Sequence, residues 1–134
     1  MHHPIVYGLG TDLIEINRID QANRRRAGRL AYRILGAAEL VEYEKRLTYS
    51  SRRANDYLAS RFASKEAFAK AIGLGIRAPM SWREVQILNS FNGAPYILVN
   101  GKLKQWVVNQ RLEFKISISD ARNFALATVI AFTK

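Results

Sequence analysis

Arg61-Phe62-Ala63-Ser64-Lys65-Glu66-Ala67-Phe68-Ala69-Lys70 forms the middle of the strongest helix signal in the chain. Leu58, Phe62, Ala69 and Ile72 recur at helical spacing and predict a buried stripe, with Arg61 and Lys65 on an adjoining face. Glu66 follows Phe62 by one helical turn, so its carboxylate sits on or beside that stripe. A carboxylate there is costly unless a cation, a metal or several donors compensate it. Its neighbours are basic: Lys65 is adjacent, Lys70 lies one turn on, and Arg61 more than a turn back. One half-buried carboxylate among three cations can hold a metal and an anion together, as a phosphate-binding site requires. The same residues also allow an ordinary Glu66–Lys70 pair at i, i+4 spacing on a solvated flank.

Upstream of this helix, residues 4–11 alternate as a strand, with Ile5, Tyr7 and Leu9 on one side and Val6, Gly8 and Gly10 on the other. Alternate glycines strip one face and let another backbone or a ligand approach closely, and Asp12 follows on that face. Leu13 stands where the third glycine of a dinucleotide fingerprint would be. Asp12 has two readings. It is a candidate site carboxylate, or, because Asp12-Leu13-Ile14-Glu15 has capping-box spacing, the N-cap of the next helix. His2 and His3, at a frayed end, read as incidental.

Residues 18–33 carry Arg18, Arg24, Arg25, Arg26, Arg29 and Arg33 against the single acid Asp20, half of the chain's net charge of +10. If one helix runs through, Arg18, Arg25, Arg29 and Arg33 fall close to one face, although Gly28 is a potential break. Arginine suits multidentate contact with carboxylates and phosphates, so the segment reads as a docking surface for something acidic, or as a solvated basic face. A short helix over 37–46 follows, then Arg52 and Arg53 just ahead of the long helix, where they could reach a ligand held by its first turns.

Downstream, Gly73 stops the long helix and Gly75 prolongs a loop to about Ser81. Strand runs at 84–89 and 95–99 flank a hairpin signal at 90–94, and Asn100-Gly101 leads into a short helix over 103–108. Two last strands, 114–119 and 124–132, flank a four-residue turn. In the second, Phe124, Leu126, Ile130 and Phe132 share one face while Ala125, Ala127, Val129 and Ala131 make the other small and apolar. The expected fold is α+β, an antiparallel sheet packed against one long helix.

The 134 residues, 49% of them hydrophobic, predict one domain over 1–134 with a core of its own. With no membrane-length apolar window and no leader pattern, the chain reads as cytoplasmic. Having no cysteine, it forms no disulfide or thiolate metal site. The charge favours acidic partners: nucleic acid, phosphorylated ligands, an anionic membrane or an acidic protein.

Three segments together resemble one family, the holo-acyl-carrier-protein synthases, small stand-alone 4'-phosphopantetheinyl transferases. They are Tyr7-Gly8-Leu9-Gly10-Thr11-Asp12-Leu13-Ile14-Glu15-Ile16; Leu58-Ala59-Ser60-Arg61-Phe62-Ala63-Ser64-Lys65-Glu66-Ala67 with Lys70-Ala71-Ile72-Gly73; and Ser117-Ile118-Ser119-Asp120 with its following strand. The resemblance implies transfer of the phosphopantetheine arm of coenzyme A to a serine of apo acyl carrier protein, with Mg²⁺, for fatty acid biosynthesis. It implies Asp12 and Glu66 as metal ligands, Lys70 as the phosphate-binding lysine, and Arg52, Arg53, Arg61, Lys70 and Asp120 as coenzyme A contacts. Glu66 and Lys70 are then the catalytic pair, and Arg18 and Arg25 lie on the carrier-protein docking helix. Many relatives carry His at Asp120, and Leu74 replaces a usual Thr. A homotrimer is also implied. Independently, the closing strand, apolar on both faces, calls for a second cover. The competing classes are a non-catalytic nucleic-acid-binding module, for which no motif is found, and a silent relative, against which Asp12, Glu66 and Lys70 argue.

Overall fold

A computed structural model describes residues 3–134, so that of the two N-terminal histidines His2 lies outside the described residues. The chain runs β1 (Ile5–Glu15), α1 (Ile16–Arg25), α2 (Arg29–Ile34), α3 (Ala37–Tyr49), α4 (Ser51–Ile72), β2 (Val85–Asn89), β3 (Pro95–Val99), α5 (Gly101–Asn109), β4 (Leu112–Asp120) and β5 (Phe124–Thr133). Both sheets are antiparallel. One has the order β1-β5-β4 and the other pairs β2 with β3, so the single sheet expected from sequence is two.

Gly8 and Gly10 set the layering. A Cβ on Gly8 would collide with the carbonyl oxygen of Ala71, and one on Gly10 with that of Ala67. The stripped face of β1 therefore rests directly on the α4 backbone. On the neighbouring strand the small face does the same job: Ala125, Ala127, Val129 and Ala131 are fully buried. Small residues on both strands let helix and sheet approach closely.

α4 is not the one-striped helix its periodicity predicts. Leu58, Ala59, Ala63, Ala67 and Phe68 are buried on all sides of it, together with Ser64 and Lys65. Its C-terminal half packs with Val85, Ile87, Leu103 and Val129, and its N-terminal half with Ile19, Ile34, Leu35 and Tyr43 from α1–α3. Ser50 caps its start, the hydroxyl accepting from the Arg53 N–H at 3.1 Å. Gly73, at φ 79°, ends it as expected.

The basic segment does break: Ala27 and Gly28 take positive φ of 52° and 82°, separating α1 from α2. β1 also runs four residues past the expected Thr11, to Glu15. Asp12 is consequently a mid-strand residue in register with Ala127, and the N-cap reading is overturned: α1 begins at Ile16, with no side-chain cap. The bonding demand of the β1–β5 ladder outweighs the local capping pattern.

Candidate active site

Because side chains alternate along β1, Gly8, Gly10 and Asp12 all face α4, and Asp12 emerges where the glycine contact ends. Lys70 reaches across from the last turns of α4, donating to the Thr11 carbonyl at 2.8 Å and to Asp12 Oδ1 at 3.3 Å. The solvated Glu66–Lys70 pair allowed by i, i+4 spacing is therefore replaced by a bridge from Lys70 to β1. Glu66 is half-buried, and among the described residues no donor hydrogen-bonds its carboxylate. Burial pushes the Glu66 carboxyl above the usual carboxylate range, the negative charge of Asp12 adds to this, and Lys70 opposes it. Two carboxylates that repel one another, one without donors, leave room for a cation between them.

The other two cations of the predicted cluster are turned away. Lys65 is fully buried and donates to Glu39 Oε1 at 2.6 Å, to the Ile34 carbonyl at 2.6 Å and to the Trp82 carbonyl at 2.7 Å. Burial lowers the Lys65 ammonium to about 8, against the pull of Glu39. Glu39 also accepts from the Gly36 and Ile87 N–H groups, each at 2.9 Å. Sequence reading missed this pair. Its one local signal is the spacing of Gly36 and Glu39 at the start of α3, which matches a helix N-terminus whose acid reaches back to the entering N–H.

Arg61 is buried too. Its Nε donates to the Ile87 carbonyl at 3.1 Å, and its terminal nitrogens to Ser60 Oγ at 3.1 Å and Asn89 Oδ1 at 2.7 Å. Arg52 and Arg53 part company. Arg52 pairs with Asp56 at 3.2 Å and donates to the Arg122 carbonyl at 2.6 Å, whereas Arg53 stacks on Tyr49 and shares a cavity with Asp120. Asp120 ends β4 rather than lying in the turn, because that strand extends one residue further than expected. Along α4, Arg53 and Glu66 stand about 20 Å apart at 1.5 Å per residue. The predicted residues thus form two groups: Asp12, Glu66 and Lys70 at one place, and Arg53, Arg61 and Asp120 around two adjoining cavities that Asp120 shares.

Arg18 and Arg25 line a third place. They rim a cavity of ≈ 510 Å³ with Arg26 and Arg33, over an apolar floor that includes Ile19, Leu30 and the stacked rings of Phe62 and Trp82. The turn at Ala27 and Gly28 rebuilds the face, bringing in Arg26; Arg29 instead donates to the Arg26 carbonyl at 3.0 Å.

Comparison with known proteins points to one family. A family model for the 4'-phosphopantetheinyl transferase superfamily matches residues 8–129. The chain is 46% identical over 127 residues to a holo-[acyl-carrier-protein] synthase of Cupriavidus pinatubonensis, covering 95% of this chain and 91% of that one. The crystal structure of holo-[acyl-carrier-protein] synthase from Neisseria meningitidis superposes with a TM-score of 0.85 at 38% identity, covering 95% of this chain and 98% of that chain. A Bacillus anthracis holo-(acyl-carrier-protein) synthase in complex with CoA (3',5'-ADP) gives 0.80 at 28% identity, covering 96% and 98%. The nucleic-acid-binding alternative finds no support among them. No helix of the described residues is long and apolar enough to cross a membrane. By family model, sequence identity and fold, the chain belongs to the 4'-phosphopantetheinyl transferase superfamily, among its holo-[acyl-carrier-protein] synthases, and is an enzyme of that class.

Proposed function

We propose that the chain transfers 4'-phosphopantetheine from coenzyme A to a serine hydroxyl of apo acyl carrier protein, in a Mg²⁺-dependent reaction that serves fatty acid biosynthesis in the cytoplasm. The serine oxygen forms a new bond to the phosphorus that bears the pantetheine arm. The bridging P–O bond breaks, and adenosine 3',5'-bisphosphate leaves. The observation that carries the reading is the trio of the partly buried Asp12 and Glu66 with the exposed Lys70, built by a glycine-stripped strand laid on α4.

The donor set fits Mg²⁺. Among the described residues no cluster of three or more His, Cys, Asp or Glu side chains could hold a metal. Two oxygen-only carboxylates, one lacking donors, suit an ion that takes one or two carboxylates and completes its shell with waters and substrate phosphates. Asp12 and Glu66 would hold it, and when bound it would supply charge neutralisation at the pyrophosphate. Lys70, anchored on the Thr11 carbonyl and Asp12, presents its remaining donor capacity to phosphate oxygens and offsets charge on the departing bisphosphate. The serine proton passes to a general base, for which Glu66, directly or through a water, is the nearest candidate, although a carboxylate that also holds the metal is a weak base.

We further propose a homotrimer with sites between subunits. Two observations support it. Ile5, Leu9 and Leu13 on β1 are 68%, 63% and 61% exposed, and Leu9 and Leu13 lie in register with the exposed Ile130 and Leu126 of β5, giving one uncovered apolar face. The separation of Arg53 from Glu66 along α4 also suits a coenzyme A whose nucleotide rests on one chain and whose pyrophosphate meets the trio of the next. The acidic carrier protein would dock on the cavity rimmed by Arg18 and Arg25.

The test is incubation with apo acyl carrier protein, coenzyme A and Mg²⁺, followed by mass spectrometry. The phosphopantetheine adduct should form and should disappear with chelator. An unmodified carrier protein under both conditions would sink the reading.

A further inference from the structure

Two guanidiniums stack on the buried ring of Tyr57, Arg61 at 4.3 Å and Arg46 at 4.8 Å from its centroid. They stand at the wall of one cavity of ≈ 320 Å³, lined also by Asn89, Gly93 and Asp120. Their hydrogen-bonding states are opposite. Every nitrogen of Arg61 is committed, to the Ile87 carbonyl, Ser60 Oγ and Asn89 Oδ1, and its side chain is buried. Asn89 spends its other end on the hairpin, Nδ2 donating to the Gly93 carbonyl at 2.9 Å. Arg61 is therefore joined through Asn89 to the 90–94 loop that walls the cavity.

Arg46 is joined to little. Only its Nε is engaged, to Glu42 Oε1 at 2.9 Å, and its side chain is 39% exposed. It lines both this cavity and the adjoining one of ≈ 570 Å³ that holds Lys45 and Arg53. Three carboxylates line these cavities: Glu42 is paired with Arg46 and Asp56 with Arg52, while Asp120, Lys45 and Arg53 form no ion pair among the described residues. A planar cation with free donors, fixed by a ring behind it and a carboxylate at Nε, is preorganised for an oxyanion.

We propose that Arg46 contacts a phosphate group at the nucleotide end of coenzyme A, and that Arg61 is a positioning residue that holds the 90–94 loop through Asn89. This rests on the transferase reading above and adds to it a residue of α3 that the sequence motifs do not reach.

The test uses the full chain. Arg46→Gln keeps the stem and removes the charge. Coenzyme A binding by calorimetry should weaken about tenfold, the loss of one charge-assisted contact, with the melting temperature and the KM for carrier protein unchanged. Asn89→Ala should raise the KM for coenzyme A with kcat held, and Asn89→Asp, which keeps the acceptor for Arg61 but loses the donor to the Gly93 carbonyl, should raise it as well. An Arg46→Gln variant that binds coenzyme A like wild type overturns the contact. An Asn89→Asp variant with the wild-type KM for coenzyme A overturns the strut. Wild-type turnover separates the two levels. No adduct from wild type sinks the transferase reading, while an adduct with Arg46→Gln unchanged sinks this assignment alone.

Discussion

Lys65 and Glu66 are neighbours on one helix and belong to two different chemistries. Lys65 points inward, where Glu39 and two carbonyls satisfy all three of its protons at 2.6–2.7 Å and no solvent reaches either partner. Glu66 points toward β1, half-exposed, short of donors and beside another carboxylate. A satisfied buried pair fixes geometry, whereas an unsatisfied, repelled carboxylate at the surface is held in readiness for a ligand. The comparison teaches that a charge run on a helix must be divided by direction before it is given a function.

The largest expected effect breaks the inner pair. Lys65→Met strands the Glu39 carboxylate in the core and should cost about 3–5 kcal/mol, lowering the melting temperature by roughly 10–20 °C. Removing both charges with Lys65→Met and Glu39→Leu should recover only part, because the Gly36 and Ile87 N–H groups then lose their acceptor. Thermal melts of both variants check this.

Breaking the outer group should behave in the opposite way. Glu66→Gln should lower kcat by about 10²–10³ while leaving the fold intact. The direction of its stability effect follows from its raised pKa: the stability Glu66 contributes is fully present below its unfolded pKa and is lost as pH rises through its folded one. At pH 7 the metal-free wild type carries that loss, so metal-free Glu66→Gln should melt no lower than wild type. Mg²⁺ should raise the melting temperature of wild type and not of the variant.

Gly10→Ala joins the two regions. The new methyl meets the Ala67 carbonyl, a backbone atom that cannot swing aside, so β1 must lift from α4 at about 1–3 kcal/mol and carry Asp12 with it. Loss of stability and of Mg²⁺ affinity together is the expected result, by melting and by titration. The smallest effect lies farthest from the comparison. Arg25→Glu should raise the KM for carrier protein several-fold with that for coenzyme A unchanged, and the wild-type KM should climb with salt.

Much of this was legible beforehand, because period and punctuation are local. The alternation around Gly8 and Gly10, the helix through Glu66 and its stop at Gly73 appear where the residues indicate. What escaped depends on partners distant in sequence. Lys65 meets Glu39, 26 residues away, and Arg61 meets Asn89, 28 away, so neither could be told from a ligand-facing cation by helical spacing. Asp12 fits a capping pattern until pairing with β5 carries the strand past it. Arg46 lies in no motif and becomes visible only once Tyr57 and the hairpin close round it.

The central claim is that Glu66 serves the reaction while Lys65 serves the fold. Its most direct test is the single-turnover rate of carrier-protein modification by Glu66→Gln, followed by mass spectrometry at saturating coenzyme A and Mg²⁺ and at a temperature where the variant is fully folded. A fall of about a hundredfold or more, with the melting curve unshifted or raised, is the predicted result; modification at the wild-type rate would contradict it.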